Sequence, residues 1–232
     1  STANILVFQT KLSRHIKDMH IHKITPVISN LEDLSFFIHS NLKFHLEFDT
    51  GMHRTGIAIT DIDLVIQKLK DSDIHEIEGL LSHYCASEDL ADIQSGSQLK
   101  KFSFILESFE SNNITIKNIH IANSAGIFIE DSRTNMVRAG IAIYGISPFQ
   151  NQNIGISPIL SWQTKASQIR KIKKGLGVSY NHTWIAKRDT ITATIPVGYA
   201  DGYPRIISNK GYTLVNDTKA RIIGNICMDY MI

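Results

Sequence analysis

The chain has 232 residues, room for one large α/β domain or two smaller ones. Its 24 basic and 22 acidic residues leave a formal charge of +2, which gives no bulk electrostatic case for a nucleic-acid or membrane partner. Apolar runs such as Ile5-Leu6-Val7-Phe8 are too short to span a bilayer, and the two cysteines, Cys85 and Cys227, have no metal-ligand spacing. Reduced thiols, and hence a cytoplasmic protein, are expected.

Ile5–Phe8 reads as a buried strand, Lys11–His20 as a short helix, and Ile24–Ile28 as the next strand. Asn30 is placed to cap a helix over Leu31–His39, with Asp33 in its first turn. Phe44–Asp49 then alternates, with Phe44, Leu46 and Phe48 on one face and His45, Glu47 and Asp49 on the other. It breaks at Thr50-Gly51, and Arg54 follows in the turn before Gly56. Asp61–Leu69 is a predicted helix, Glu78–Tyr84 a strand, Gly96–Glu110 a long helix and Ile119–Ala122 a strand. Met136–Tyr144 is read as carrying the sixth strand, broken by Ala139-Gly140. This alternation is the rhythm of βαβ units around a parallel sheet. Six units do not close an eight-stranded barrel, so the sheet is either open or short of two units.

After Ser147-Pro148 the pattern changes. Ile159–Arg170, Thr190–Val197, Tyr212–Val215 and Ala220–Ile226 alternate, with turns at Lys174-Gly175, Asp201-Gly202 and Asn216-Asp217. The expected organisation is an α/β part over residues 1–157 and a small all-β part over 158–232. The chain opens almost at once on a strand and stops at Met231-Ile232 inside another, so both ends are expected to be cut.

Polar and glycine residues gather after the strands, where α/β folds place ligands. Asn123-Ser124-Ala125-Gly126 and Arg138-Ala139-Gly140-Ile141 could together cradle a phosphate, since glycine admits an anion to the backbone amides. Turn chemistry explains either motif alone equally well. His83 and His120 sit at matching places on their strands, where a histidine is more often a hydrogen-bonded core residue than a catalyst. Tyrosines Tyr180, Tyr199 and Tyr203 stand beside turns of the β part, where packing is the ordinary role. Cys227-Met228-Asp229 carries no mechanism of its own.

Taken together, these segments resemble the alanine racemase family. The resemblance rests on His45-Leu46-Glu47-Phe48-Asp49-Thr50-Gly51-Met52-His53-Arg54-Thr55-Gly56, Ser82-His83-Tyr84, His120-Ile121-Ala122-Asn123-Ser124-Ala125 and Val137-Arg138-Ala139-Gly140-Ile141-Ala142-Ile143-Tyr144-Gly145. It continues through Val178-Ser179-Tyr180, Gly198-Tyr199-Ala200-Asp201-Gly202-Tyr203 and Ile226-Cys227-Met228-Asp229, in family order over nearly the whole chain. It implies a (β/α)8 TIM-type barrel, strands three to eight present here, followed by a small all-β domain. It implies pyridoxal 5'-phosphate (PLP) as cofactor, alanine as substrate, D-alanine for peptidoglycan as the purpose, and a homodimer whose active sites are shared between protomers. By resemblance, Arg54 would contact cofactor and substrate carboxylate, Arg138 would face the pyridine nitrogen, and His83 would lie against the ring. Ser124, Gly140 and Ile141 would hold the phosphate, with Asn123 and His120 behind. From the partner, Tyr180 would be the acid/base on one face, with Tyr199 and Met228 at the entrance.

Three departures accompany the resemblance. The family's second base, a lysine that also carries the cofactor, belongs to a first barrel strand absent here, so this stretch alone is expected to be inactive. Glu47 stands where many members have a carbamylated lysine bracing the arginine, and it supplies the negative charge directly. Asn181-His182 follow Tyr180 where small residues are usual. Alternatives are a racemase for serine or another small amino acid, and a non-catalytic PLP-binding barrel, against which the Tyr180 segment argues. A metal-dependent hydrolase fits poorly, since no strand carries a His-x-His pair.

Overall fold

Five of the predicted strands lie side by side and parallel, joined by helices. A computed structural model describes residues 3–8, 12–89, 93–129, 132–150 and 152–232, in two units, Ser1–Ile159 and Leu160–Ile232. In the first unit the order is β1 (Ile5–Phe8), α1 (Ile16–His22), β2 (Ile24–Ile28), α2 (Leu31–Phe37), β3 (His45–Asp49) and β4 (Ile57–Ala58). It continues with α3 (Ile62–Asp71), β5 (Glu76–Leu81), α4 (Ile93–Ser111) and β6 (Thr115–His120). The sheet runs β1-β2-β3-β5-β6, with the two-residue β4 paired to β3. The predicted start of the first helix, Lys11, lies outside the described residues; from Leu12 a 3-10 turn leads into α1.

Local chemistry explains the elements. The Asn30 side chain accepts the Asp33 N–H at 2.7 Å, so the predicted cap forms and α2 starts there. Ile62, Val65, Ile66 and Leu69 are all buried on α3, and Phe102, Ile105, Leu106 and Phe109 on α4, the one-face spacing of an amphipathic helix. They cover one face of the sheet, where Leu46, Phe48 and Leu80 are buried and the Phe48 and Phe109 rings meet edge-on at 6.1 Å. Each such side chain removed from water contributes about 1.5–3 kcal/mol. The helices thus fix one side of β3, and its other face carries His45 and Glu47, both buried as well.

The predicted sixth strand does not form. Residues 135–138 run beside β6 with two bonds, Asn135 N–H to Ile119 O and Arg138 N–H to Ala122 O. Ile141–Tyr144 then closes in a 3-10 turn. Ser124 explains the break, because its hydroxyl takes the Gly140 and Ala142 amides that a continuing ladder would need.

In the second unit β7 (Gln168–Ile172) pairs antiparallel with β10 (Thr190–Thr194), β8 (Gly177–Val178) with β9 (Trp184–Ile185), and β11 (Tyr212–Val215) with β12 (Thr218–Arg221). The alternation from Ile159 becomes a strand only at Gln168. Asn216 and Asp217 form the two-residue loop of the last hairpin with φ of 48° and 60°, as an Asn-Asp pair allows where both centres need positive φ. Val197, Ile222, Ile226 and Met231 form this unit's core.

Candidate active site

The turn after β3 is built around one carboxylate. Asp49 Oδ1 accepts the N–H groups of Gly51, Met52 and His53 at 2.8–3.1 Å, and Oδ2 meets His53 Nδ1 at 2.9 Å. Burial pushes this carboxyl up, but the His53 and Gly51 hydrogen bonds outweigh it, and the net shift is downward. Gly51 and Gly56 take φ of 144° and 116°, which frees the chain to double back. Arg54 stands exposed at the crest.

Arg138 is the hub. One terminal nitrogen donates to His120 Nδ1 and to the His120 carbonyl at 3.2 Å. The other donates to the Ser82 carbonyl at 2.6 Å, His83 Nδ1 at 3.1 Å and the Ile121 carbonyl at 3.3 Å. Burial lowers its pKa to about 10, with Glu47 opposing and Arg54 adding to the shift, so it stays charged at neutral pH. His83 is pushed down to about 4 by burial and by Arg138 and Arg54. His120, fully buried, falls to about 2 through burial, Arg138 and His45. Both imidazoles are neutral, and because a guanidinium only donates, both accept at Nδ1.

These groups face a cavity of about 360 Å³ lined by Phe8, Ser29, Glu47, Arg54, His83 and Arg138, with Val27 and Thr55 completing the wall. Phe8 ends β1, Ser29 follows β2, Arg54 follows β3 and His83 follows β5. The cavity therefore lies at the carboxyl ends of the strands, the ligand side of a parallel α/β sheet. Two guanidiniums against one carboxylate suit an anionic ligand. The hydrogen-bond partner of Glu47 is Thr55, whose hydroxyl donates to it at 3.1 Å; Arg54 acts through space. Burial raises the Glu47 carboxyl above its usual range, partly offset by Thr55, Arg138 and Arg54. Among the described residues no lysine lines the cavity. Lys43 and Lys117 are tied to Glu78 and Glu76.

Ser124, Gly140 and Ile141 lie together. The Gly140 and Ala142 N–H groups converge on Ser124 Oγ at 2.8 and 3.2 Å, and Ile141 opens the 3-10 turn. Asn123 braces the preceding loop, taking the Ser87 hydroxyl and Gly126 N–H on Oδ1 and donating to the Tyr84 carbonyl. In the second unit Tyr180 and Met228 line a cavity of about 920 Å³. Tyr199 and Ala200 are tied to it by their N–H bonds to the Cys227 and Met228 carbonyls, both 3.0 Å. Asn181 and His182 follow Tyr180 with φ of 59° and 47°, and Gly177 leaves room for the His182 ring.

Sequence reasoning passed over Gln98. From α4, only 2% exposed, it donates to the His83 carbonyl at 2.8 Å and to Thr50 Oγ1 at 3.3 Å, and accepts the Cys85 N–H at 3.0 Å. It ties together the two strand ends that carry Arg54 and His83. Helical periodicity puts it on the buried face of α4, four residues before Phe102, but does not say which polar groups it meets there. Asp49 was findable, since Asp two residues before Gly is an Asx-turn signature.

A parallel α/β sheet with a cationic, histidine-walled cavity beyond its strand ends, followed by a β unit, defines a two-unit protein of the α/β class. Residues 1–148 match the family model described as the alanine racemase N-terminal domain, and residues 159–232 that of the C-terminal domain. The chain belongs to the alanine racemase family, and its fold class is that family's: a TIM-type barrel with a small β domain. It is 37% identical over 190 residues to the alanine racemase of Halothermothrix orenii, covering 81% of this chain and 50% of the relative. It is 36% identical over 234 residues to that of Fusobacterium nucleatum, covering 97% and 64%. The crystal structure of alanine racemase from Bartonella henselae with covalently bound pyridoxal phosphate superposes with a TM-score of 0.83 at 29% identity. That match covers 100% of this chain and 65% of that one. The chain thus spans about half to two thirds of the length of the relatives it matches.

Proposed function

We propose that this chain takes part in PLP-dependent interconversion of L- and D-alanine, supplying D-alanine for peptidoglycan in the cytoplasm. Residues 1–157 would form the cofactor-binding barrel portion and 158–232 the β portion. The observation that carries the reading is the cavity at the strand ends, where Arg54, Arg138 and His83 converge.

The residues fit the cofactor. The Ser124 hydroxyl, which accepts the Gly140 and Ala142 N–H groups and keeps its own proton to donate, would hold a phosphate together with the backbone of Gly140 and Ile141. Arg138, a donor without an acceptor, suits an unprotonated ring nitrogen. Bound there, PLP would supply a conjugated ring that draws electron density from the substrate carbon losing its proton. Arg138 would hold the ring nitrogen unprotonated, and the carbonyls of Ser82, His120 and Ile121 keep its guanidinium in place. Arg54 would bind the substrate carboxylate, and Glu47 would balance the two cations. His83, neutral by burial, would lie against the ring without adding a third positive charge. Tyr180, 69% exposed, would reach the site of a second copy in a homodimer and move a proton at one face of the substrate carbon, with Tyr199 and Met228 at the entrance.

The test uses the protein as the cell makes it. It is mixed with PLP, reduced with borohydride, digested and mapped for a pyridoxyl-lysine, and D-alanine formation from L-alanine is followed alongside serine. A lysine adduct with alanine turnover is expected. Absence of both would refute the reading, and faster turnover of serine would change the substrate.

A further inference from the structure

His45 is buried, 4% exposed, on the cavity side of β3, and the proposed chemistry leaves it without a task. Its ring meets a residue two strands away. The order is β3-β5-β6, with β5 between, yet His45 Nδ1 lies 2.8 Å from Nε2 of His120 on β6. Adjacent strands stand about 4.8 Å apart, so the pair bridges roughly 10 Å. The register shows how: His45 is paired with Gly79 of β5. A Cβ at Gly79 would sit 2.2 Å from His45 Nδ1 and 2.6 Å from its Cγ. The imidazole lies across the intervening strand, in the space that any other residue would fill.

Donor chemistry gives this contact a direction. Arg138 can only donate, so His120 accepts at Nδ1 and carries its proton on Nε2. That N–H then points at His45 Nδ1, which must accept, leaving the His45 proton on Nε2. No other pair of neutral tautomers satisfies both contacts. We infer that His45 is a positioning residue: it is the terminal acceptor of a directed chain, Arg138 to His120 to His45, threaded over Gly79, which sets how Arg138 presents its guanidinium to the cavity. Burial supports the neutral state of both rings. It lowers His45 to about 4, with Glu78 opposing and Arg138 adding to the fall, and His120 further still. The tautomer assignment concerns only this chain's own hydrogen bonds; its consequence for a ligand rests on the PLP reading above.

The experiment records imidazole nitrogens of the ¹⁵N-labelled protein as the cell makes it, at pH 7, by long-range ¹H–¹⁵N correlation, assigned with His45→Asn and His120→Asn, and measures equilibrium binding of PLP. In the wild type, both rings should show the proton on Nε2. His45→Leu and Gly79→Ala should each shift the His120 Nε2 signal and weaken PLP by roughly 10-fold, the scale of one lost buried acceptor. His45→Asn, whose Oδ1 stands near the lost Nδ1, should restore both. A proton on His120 Nδ1, or a charged His120, in the wild type overturns the proposal, and that outcome does not depend on His45→Leu or Gly79→Ala folding. An unchanged His120 signal in His45→Leu or Gly79→Ala also overturns it, as does a shifted signal with unaltered PLP affinity. If the tautomers are as stated but PLP binds to no form, the relay stands and the reading of the cavity fails.

Discussion

Gln98→Leu tests whether the site's geometry is held from behind. Leucine matches the volume closely, so little cavity forms and the effect is confined to hydrogen bonding. The His83 carbonyl and the Cys85 N–H lose their partner, while the Thr50 hydroxyl keeps Ser82 at 2.7 Å. Two main-chain groups at about 1–1.5 kcal/mol each give a loss of about 2–3 kcal/mol. With a urea dependence of about 2 kcal/mol/M, the midpoint of the first unit should fall by about 1 M. Amide exchange at Cys85 should quicken as well, since its N–H is then unbonded. Gln98→Glu separates polarity from shape. A carboxylate can accept from Cys85 but cannot donate to His83, and only its protonated form does both, so this variant should approach wild type as pH falls. A loss in Gln98→Leu below about 0.5 kcal/mol with unchanged Cys85 exchange would refute the reasoning.

Four further outcomes are expected. His45, His83 and His120 have folded pKa values of about 4, 4 and 2, against about 6.5 unfolded. The unfolded chain thus binds more protons in acid, and stability should fall from pH 6.5 towards 4; equal urea midpoints at pH 7 and 5 would contradict this. Glu47 has the opposite sign. Its raised pKa contributes stability below the unfolded carboxyl range that is lost as pH rises, so Glu47→Gln should gain on wild type between pH 4.5 and 7 in the same titration, and a gap independent of pH would count against it. Gly56→Ala places a Cβ 2.5 Å from the Asp49 nitrogen at φ 116°; it should cost about 3 kcal/mol by denaturation, and a cost under about 1 kcal/mol would show that the turn has slack. In the protein as the cell makes it, Tyr180→Phe should slow racemisation by ~100-fold or more while PLP still binds, and wild-type rates from both enantiomers would remove its role as a base.

Much of the first unit was legible because its signals are local. The Asn30 cap, the helix periodicities and the alternation of β3 are set by residues within a turn or two of one another, and the structure keeps them. The expected sixth strand failed for a non-local reason: Ser124, sixteen residues from Gly140, captures its amide. The site divides in the same way. Arg54, His83, Ser124 and Arg138 could be named from family-like segments, and the structure gathers Arg54, His83 and Arg138 on one cavity. The roles of Gln98 and His45 could not be read, although His45 lies in such a segment, because they depend on which strands are neighbours. A histidine opposite a glycine means something only once the register is known.

The acceptors of Arg138 have a consequence for how this protein can change over generations. Three are main-chain carbonyls, from Ser82, His120 and Ile121, and every amino acid provides one. What holds positions 82 and 121 to their residue types is therefore their own packing and the Thr50 hydroxyl contact of Ser82, not the guanidinium. The arginine itself has no substitute. A lysine ammonium has one nitrogen and no planar fork, and cannot reach carbonyls on two strand ends together with two imidazoles. Selection should hold position 138 to a single residue type, because the carbonyls it grips sit on two strand ends that only a planar fork can bridge.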